Sequence, residues 1–289
     1  MLLAFSTNAF TRFSLDAAVR SIAWAGFAGV EILADVPHAY PDQIDDALIR
    51  GLCGTLDETG LRVSNVNANC SFGYWRHAPP EPYFEPSLIS PVEQYRADRV
   101  RMILKTLEFA RKIGAPAISI TSGRCLGGMP PARAARQFAE SIKPVLDVAE
   151  RLEVNVGIEC EPGLFIEYVT ELSEWIDRLG SARLGANLDI GHSVVMGERI
   201  SDVVQSLAGR IWNLHVEDLP GRKHYHTIPG EGMLDWEALA AALDAIGFDQ
   251  FATVELYTET ADPDAAARKS FDFLRGIFKI DKPLRESNG

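Results

Sequence analysis

The chain has 289 residues, 47% of them hydrophobic, which is enough to bury a large core, and α/β barrels of this length are normally a single domain. Its formal charge is −12 with a pI near 5.0, which argues against non-specific attraction to nucleic acid or anionic lipid but leaves room for a local basic pocket. The four cysteines, Cys53, Cys70, Cys125 and Cys160, are scattered without C-x-x-C spacing and read as isolated thiols of a reducing compartment rather than a disulfide frame or zinc knot. The opening residues lack the basic and long apolar parts of a signal peptide, and no apolar run reaches membrane length, so a cytoplasmic protein is the expectation.

Strand and helix signals alternate along the whole chain. Residues 2–7 read as a first strand; Ser14 then caps a helix that Gly26 stops. Residues 29–33 form a second strand, followed by a helix over about 41–59 that ends at Gly60. A third strand covers 61–66, a long helix about 92–113, and a fourth strand 117–121. Next come a helix over 131–152, a strand ending at Glu159, a helix over 168–179 and a strand ending at Asp189. The series closes with a helix near 200–207, a strand ending at His215, a helix over 236–246, a strand ending at Glu255 and a helix over 262–278. Eight strand–helix pairs with no linker predict one (β/α)₈ TIM barrel spanning residues 1–289, with a charged, fraying tail from Asp281. The longest irregular stretch, 68–91, follows strand three and carries Phe72, Tyr74, Trp75, Tyr83 and Phe84. At that position it forms a pocket wall or lid, or else a loop packed on its own aromatics or a subunit contact.

Strand side chains alternate between faces. Val156 and Ile158 oppose Glu159; Leu188 opposes Asn187 and Asp189; Trp212 and Leu214 oppose Asn213 and His215; Ala252 and Val254 oppose Thr253 and Glu255. The apolar set suits the face under the helices, which turns the polar set into the barrel. Three buried carboxylates there are costly without a counter-charge, which a divalent cation supplies. Taken singly, each residue reads more readily as a loop-edge carboxylate or a hydrogen-bonded core histidine. Four consecutive strands ending on ligand types at matching depth and parity are not explained that way. Glu161 and Glu217 share that parity two residues further on. Glu31, Asn8 and Asn67 end the first three strands and either line a polyol pocket or fix loops. His226 and Glu231 read as structural or pocket-edge residues, the latter in a Gly-Glu-Gly turn before a helix that Asp235 caps.

The segments Gly157-Ile158-Glu159, Asn187-Leu188-Asp189-Ile190-Gly191-His192, Leu214-His215-Val216-Glu217-Asp218, His226-Thr227-Ile228-Pro229-Gly230-Glu231-Gly232 and Val254-Glu255-Leu256 resemble the xylose-isomerase-like TIM-barrel superfamily. Within it they are most similar to the sugar (phosphate) isomerase/epimerase branch that includes the ketose 3-epimerases. The resemblance implies that Glu159, Asp189, His215 and Glu255 bind one divalent metal, often Mn²⁺, with Mg²⁺, Co²⁺ or Zn²⁺ also fitting such a set. It further implies that Glu159 and Glu255 flank the substrate carbon as acid and base around a metal-stabilised enediolate, and that His192 meets a substrate hydroxyl. Glu31, Asn67, Glu161 and Arg222 are the further substrate-binding candidates. An Arg follows the metal His in ketose epimerases, but the sequence between His215 and Arg222 is not a clear match.

The expected activity is isomerisation or epimerisation of a small sugar, sugar phosphate or related polyhydroxy carbonyl compound. The partners expected are that substrate, no nucleic acid and no membrane, with a homo-oligomer compatible. Three other readings stand beside it: a metal-dependent hydrolase or endonuclease, a lyase or dehydratase beginning with the same proton abstraction, and a catalytically silent metabolite-binding barrel. Six histidines and the negative charge weigh against the endonuclease, which needs a multi-metal cluster and a basic groove.

Overall fold

Alternation along the strands closes them into a ring. In the computed structural model, which describes residues 1–69, 71–77 and 84–280, eight parallel strands form a closed barrel in chain order. They are β1 Leu2–Ser6, β2 Gly29–Leu33, β3 Arg62–Asn67, β4 Ala117–Thr121, β5 Asn155–Glu159, β6 Leu184–Asp189, β7 Ile211–Val216 and β8 Phe251–Val254, and β1 pairs with β8 to complete the ring. The outward-facing Val30, Ile32, Val66, Ile118, Ile120, Val156, Ile158, Leu188, Leu214 and Val254 are buried under the helices. That layer holds the fold together, since each such aliphatic side chain stabilises by about 1.5–3 kcal/mol when fully buried. Among the described residues, no helix is long and apolar enough to cross a membrane.

The helices are α1 Leu15–Ala25, α2 Asp46–Thr59, α3 Glu93–Lys112, α4 Pro131–Leu152, α5 Val169–Leu179, α6 Ile190–Met196, α7 Ile200–Ser206, α8 Trp236–Ala245 and α9 Pro263–Ile277. Their ends follow local chemistry. The Ser14 hydroxyl accepts from the Ala17 N–H, and Gly26 terminates α1 at φ +106°, against the ring of Phe271. α2 starts later than its sequence pattern predicts, because Tyr40 to Gln43 forms a turn and the Asp45 carboxylate caps the Leu48 N–H at 2.8 Å. The sequence also gave no sign of α6. Its N-cap is Asp189, whose Oδ1 accepts from the His192 N–H at 2.9 Å. Of the residues singled out from sequence, Cys70, Tyr83 and the tail from Asp281 lie outside the described residues.

Parity turns the polar residues of the strands into the barrel, where they hydrogen-bond to one another. Asn65 Nδ2 donates to Glu31 Oε2 (2.8 Å) and Ser119 Oγ (2.9 Å), Asn213 Nδ2 donates to Asn187 Oδ1 (2.8 Å), and Thr253 Oγ1 donates to Asn213 Oδ1 (2.7 Å). This polar column is buried, and among its groups Asn65 Oδ1 has no hydrogen-bond partner. The column leads upward to the carboxyl ends of the strands.

Beyond β7 the chain is held by Asp218, which is 1% exposed. Its carboxylate accepts from the Leu219, Gly230 and Leu234 N–H groups and from Trp236 Nε1, all at 2.9–3.0 Å. Asp218, three residues past His215, therefore faces away from the barrel interior and fixes the Pro-Gly-Glu-Gly segment. Asp218→Ala strands four donors and is expected to cost about 3 kcal/mol or more, read as a lower urea midpoint. An unchanged midpoint would contradict this account of the loop.

Candidate functional site

Glu159 at the end of β5, Asp189 at the end of β6, His215 in β7 and Glu255 one residue past β8 present one ligand-type atom each, all within 4.8 Å of one another. All four residues are buried, with Glu255 the most exposed at 7%. His215 faces the cluster with Nδ1, which is 3.4 Å from Glu159 Oε2, 3.6 Å from Glu255 Oε2 and 3.9 Å from Asp189 Oδ2. Its other nitrogen, Nε2, hydrogen-bonds to Glu31 Oε2 at 2.7 Å. A carboxylate on the far nitrogen fixes the ring so that Nδ1 can coordinate.

Asparagines hold the two glutamates. Asn8 Nδ2 and Asn67 Nδ2 each donate to Glu255 Oε1 at 2.9 Å. Asn69 Nδ2 donates to Glu159 Oε2 at 2.7 Å, and Asn187 Nδ2 donates to the same oxygen. One oxygen of each glutamate is thus tied down.

The electrostatics of the bare cluster is that of too many carboxylates in too little space. Burial, together with Glu159, Glu31 and Asp189, pushes the Glu255 carboxyl up to about 8 against the pull of His215. Burial works against a charged His215, yet Glu31, Glu255 and Glu159 hold its pKa well above the ordinary histidine value. Asp189 resists burial and is held well below the usual carboxylate range by His192, His226 and His215. Its Oδ2 finds no hydrogen-bond donor, nor does either oxygen of fully buried Glu217 beside it. Burial and Asp189 push the Glu217 carboxyl well up, against the pull of His215. Gly191 makes room for this pair, since a Cβ there would lie 1.7 Å from Glu217 Oε1. The orphaned Asp189 oxygen, three converging carboxylates and an imidazole with its outer nitrogen already bonded fit a divalent cation.

Above the cluster opens a cavity of ≈ 270 Å³. Glu159, Glu255, Asn67 and His192 line it, with Glu161 and His226 at one side and Phe72, Phe84 and Tyr257 as aromatic wall. The loop after β3 therefore contributes to the pocket wall. Glu161 reaches His192 Nε2 at 3.6 Å. Its carboxyl is pushed up to about 7 by burial and by Glu159 and Asp189, against the pull of His192. His192 is pushed up to about 9 by Asp189, Glu161 and Glu159 although burial opposes the charge. His226 goes the other way, down to about 4, through burial and the neighbouring imidazoles, with Asp189 opposing.

Not every candidate lies where its sequence position suggested. Glu31 is wholly buried below the cavity floor, bonded to His215 and the asparagines, and is not part of the lining. Arg222 is exposed; it donates to the Val195 carbonyl at 3.4 Å, beside Gly197 at the end of α6. Glu231 pairs with Lys269 on the surface. Asn69, Asn187 and His224 carry contacts that sequence reasoning did not single out. His224 had a usable signal in the H-x-H pair it forms with His226, and Asn187 in its inward parity with Asp189.

The sequence profile described as "Xylose isomerase-like TIM barrel" matches residues 19–277. The chain belongs to this family. Among family relatives, it is 22% identical over 275 residues to a fructoselysine 3-epimerase of Shigella flexneri, covering 94% of this chain and 96% of the relative. The solved structure of a D-tagatose 3-epimerase-like protein superimposes with a TM-score of 0.80 at 20% identity, covering 97% of this chain and 98% of that one. The IOLI protein, solved with a zinc atom bound, gives a TM-score of 0.78 at 17% identity, covering 96% and 98%. These structural similarities show the shared barrel fold.

Proposed function

We propose that the chain is a metal-dependent epimerase or isomerase of a small polyhydroxy carbonyl compound, with Glu159 and Glu255 exchanging a proton with the substrate. The observation that carries this reading is the convergence of the two glutamates, each with one oxygen gripped by asparagines, on the floor of a closed-in cavity beside Asp189 and His215. At ≈ 270 Å³ the cavity falls just below the roughly 300–1,000 Å³ of drug-sized sites and suits a monosaccharide-sized ligand. The names of the relatives, a fructoselysine 3-epimerase and a D-tagatose 3-epimerase-like protein, support the same substrate class.

Glu159, Asp189, His215 and Glu255 are the residues that would hold the cation. When bound, it supplies Lewis-acid polarisation of a carbonyl and charge for the oxygen that becomes anionic. Mn²⁺ and Mg²⁺ best match three carboxylates and one imidazole, and Co²⁺ or Zn²⁺ also fit. Glu31 keeps His215 in its coordinating orientation. Asn8 and Asn67 hold Glu255 Oε1, and Asn69 holds Glu159 Oε2, which leaves one oxygen of each glutamate free of those bonds. Return of the proton from the opposite side inverts the centre; return to the adjacent carbon isomerises an aldose and a ketose. His192 and Glu161 meet substrate hydroxyls at the cavity wall, and Asn67 borders the same space. Glu159, Glu161 and Glu255 all line the cavity, which disfavours a polyanionic nucleic acid there and supports the sugar reading over an endonuclease.

The test is proton exchange. The protein loaded with Mn²⁺ is incubated in D₂O with a panel of ketoses and ketose phosphates, and deuterium at the carbon next to the carbonyl is followed by NMR. Wash-in with a change of configuration is the expected result. Binding of the same sugars with no exchange on any of them would favour a silent binding barrel.

A further inference from the structure

We propose that Asp35 and Arg99 are positioning residues for the glutamate pair. Together they clamp the chain after β3, so that Asn69 meets Glu159 and Phe72 stands in the cavity wall. The proposal rests on the reading of Glu159 and Glu255 as the reacting, cation-holding pair.

Asp35 lies two residues past the end of β2, and Arg99 lies in α3. Both reach the residues that follow β3, and they take opposite kinds of backbone group. Asp35 Oδ2 accepts from the Phe72 N–H at 2.6 Å. Its Oδ1 accepts from the Gly73 N–H at 2.9 Å and the Val36 N–H at 2.7 Å. Arg99 Nη2 donates to the Ala68 carbonyl at 2.6 Å and to the Asn69 carbonyl at 3.3 Å. A carboxylate serves only donors and a guanidinium only acceptors, so the pair holds a short segment at both ends. Gly73 fits this arrangement. A Cβ there would lie 2.6 Å from Tyr40 Cδ2, so a bare backbone is needed to bring its N–H to Asp35.

What the clamped segment touches carries the inference. Asn69 Nδ2 donates to Glu159 Oε2 at 2.7 Å, and the Asn69 N–H donates to Asn67 Oδ1 at 3.1 Å. Asn67 Nδ2 donates to Glu255 Oε1 at 2.9 Å. The segment thus bonds to both glutamates, and Asn67, Asn69 and Phe72 line the cavity. Arg99 fixes the carbonyl of the same residue whose side chain holds Glu159. Asp35 is fully buried and Arg99 is 2% exposed. Burial pushes the Asp35 carboxyl up, while the Gly73, Val36 and Phe72 N–H groups and the charge of Arg99 draw it down. A loop that needed only to be closed could be fixed by uncharged side chains without the cost of burying two charges. Hydrogen bonds to charged groups are roughly twice as strong as neutral ones, so the clamp is a stiff one. Stiffness matters at this place, because a misplacement of about 1 Å in a reacting group costs about 10²-fold in rate.

The test compares the unaltered full chain, stripped of metal, with Asp35→Asn, Asn69→Ala and the double variant. Mn²⁺ is the probe. Its affinity is measured by calorimetry, and thermal unfolding checks that each variant is folded. Asp35→Asn turns an amide NH₂ against either the Phe72 N–H or the Val36 and Gly73 N–H groups, so the clamp opens on one side. Mn²⁺ affinity should fall about 10-fold or more in Asp35→Asn and in Asn69→Ala, the usual effect of removing an outer partner of a ligand. The double variant should lose no more than Asn69→Ala alone, because Asp35 acts through Asn69. Unchanged affinity in folded Asp35→Asn, or losses that add in the double variant, would overturn the proposal and leave a pair that serves only the fold. If Asp35→Asn does not fold, Arg99→Lys, which keeps the charge but shortens the reach, takes its place under the same criteria. Failure of both to fold would also overturn the positioning role. No Mn²⁺ binding by the unaltered chain would defeat the metal-dependent reading itself, and the proposal with it.

Discussion

Glu255→Gln is expected to lower turnover by about 10²–10⁴-fold, the usual worth of a positioned general base, while changing substrate affinity far less. The reason lies in how Glu255 is held. Its Oε1 accepts from Asn8 and Asn67, and a glutamine oxygen can keep both bonds. The amide group then falls where Oε2 now lies, 3.6 Å from both His215 Nδ1 and His226 Nδ1. It can neither take a proton from carbon nor ligate a cation as a carboxylate does. Metal content must therefore be measured on the same sample. Turnover at the unaltered level in a metal-loaded Glu255→Gln protein would remove Glu255 from proton transfer and favour another reaction class.

The second large effect concerns the cation. His215→Ala or Asp189→Asn should abolish tight binding of Mn²⁺, since each takes one ligand from a buried, charge-matched set. Glu31→Gln should do less, about 10–100-fold, because it removes only the carboxylate bonded to His215 Nε2. The pH dependence has a definite sign. With Glu255 pushed up to about 8 in the metal-free protein, the cation must displace a proton below that pH. Affinity for Mn²⁺ is therefore expected to rise with pH, with protons released on binding from Glu255 and from His215, whose own pKa is also raised. Calorimetry in buffers of different ionisation enthalpy measures that release. Equal Mn²⁺ affinity in unaltered, Asp189→Asn and His215→Ala proteins would place the ion elsewhere.

The sequence by itself determined the barrel and the four convergent residues, because both depend on local, periodic signals. Alternation with period two set which side chains of β5, β6 and β7 face inward. Caps such as Ser14 and stops such as Gly26 and Gly60 bounded the helices. A strand end is a fixed height on a barrel, so matching positions along the chain became matching positions in space. What surrounds those four residues was decided only by the tertiary structure. Asn8 and Asn67 read equally as loop-fixing residues in sequence; closure of the ring through β1 and β8 brings Asn8 onto Glu255. Glu31 looked like a pocket residue, yet its depth below the cavity makes it the partner of His215. Arg222 sat at a plausible spacing, but the loop carries it to the end of α6. Asp189 was legible as a ligand type but not as the cap of a helix, and α6 delivers His192 beside His224 and His226. Such contacts join residues from different strands and loops. Their geometry depends on ring closure and loop paths, which no periodicity in the chain encodes.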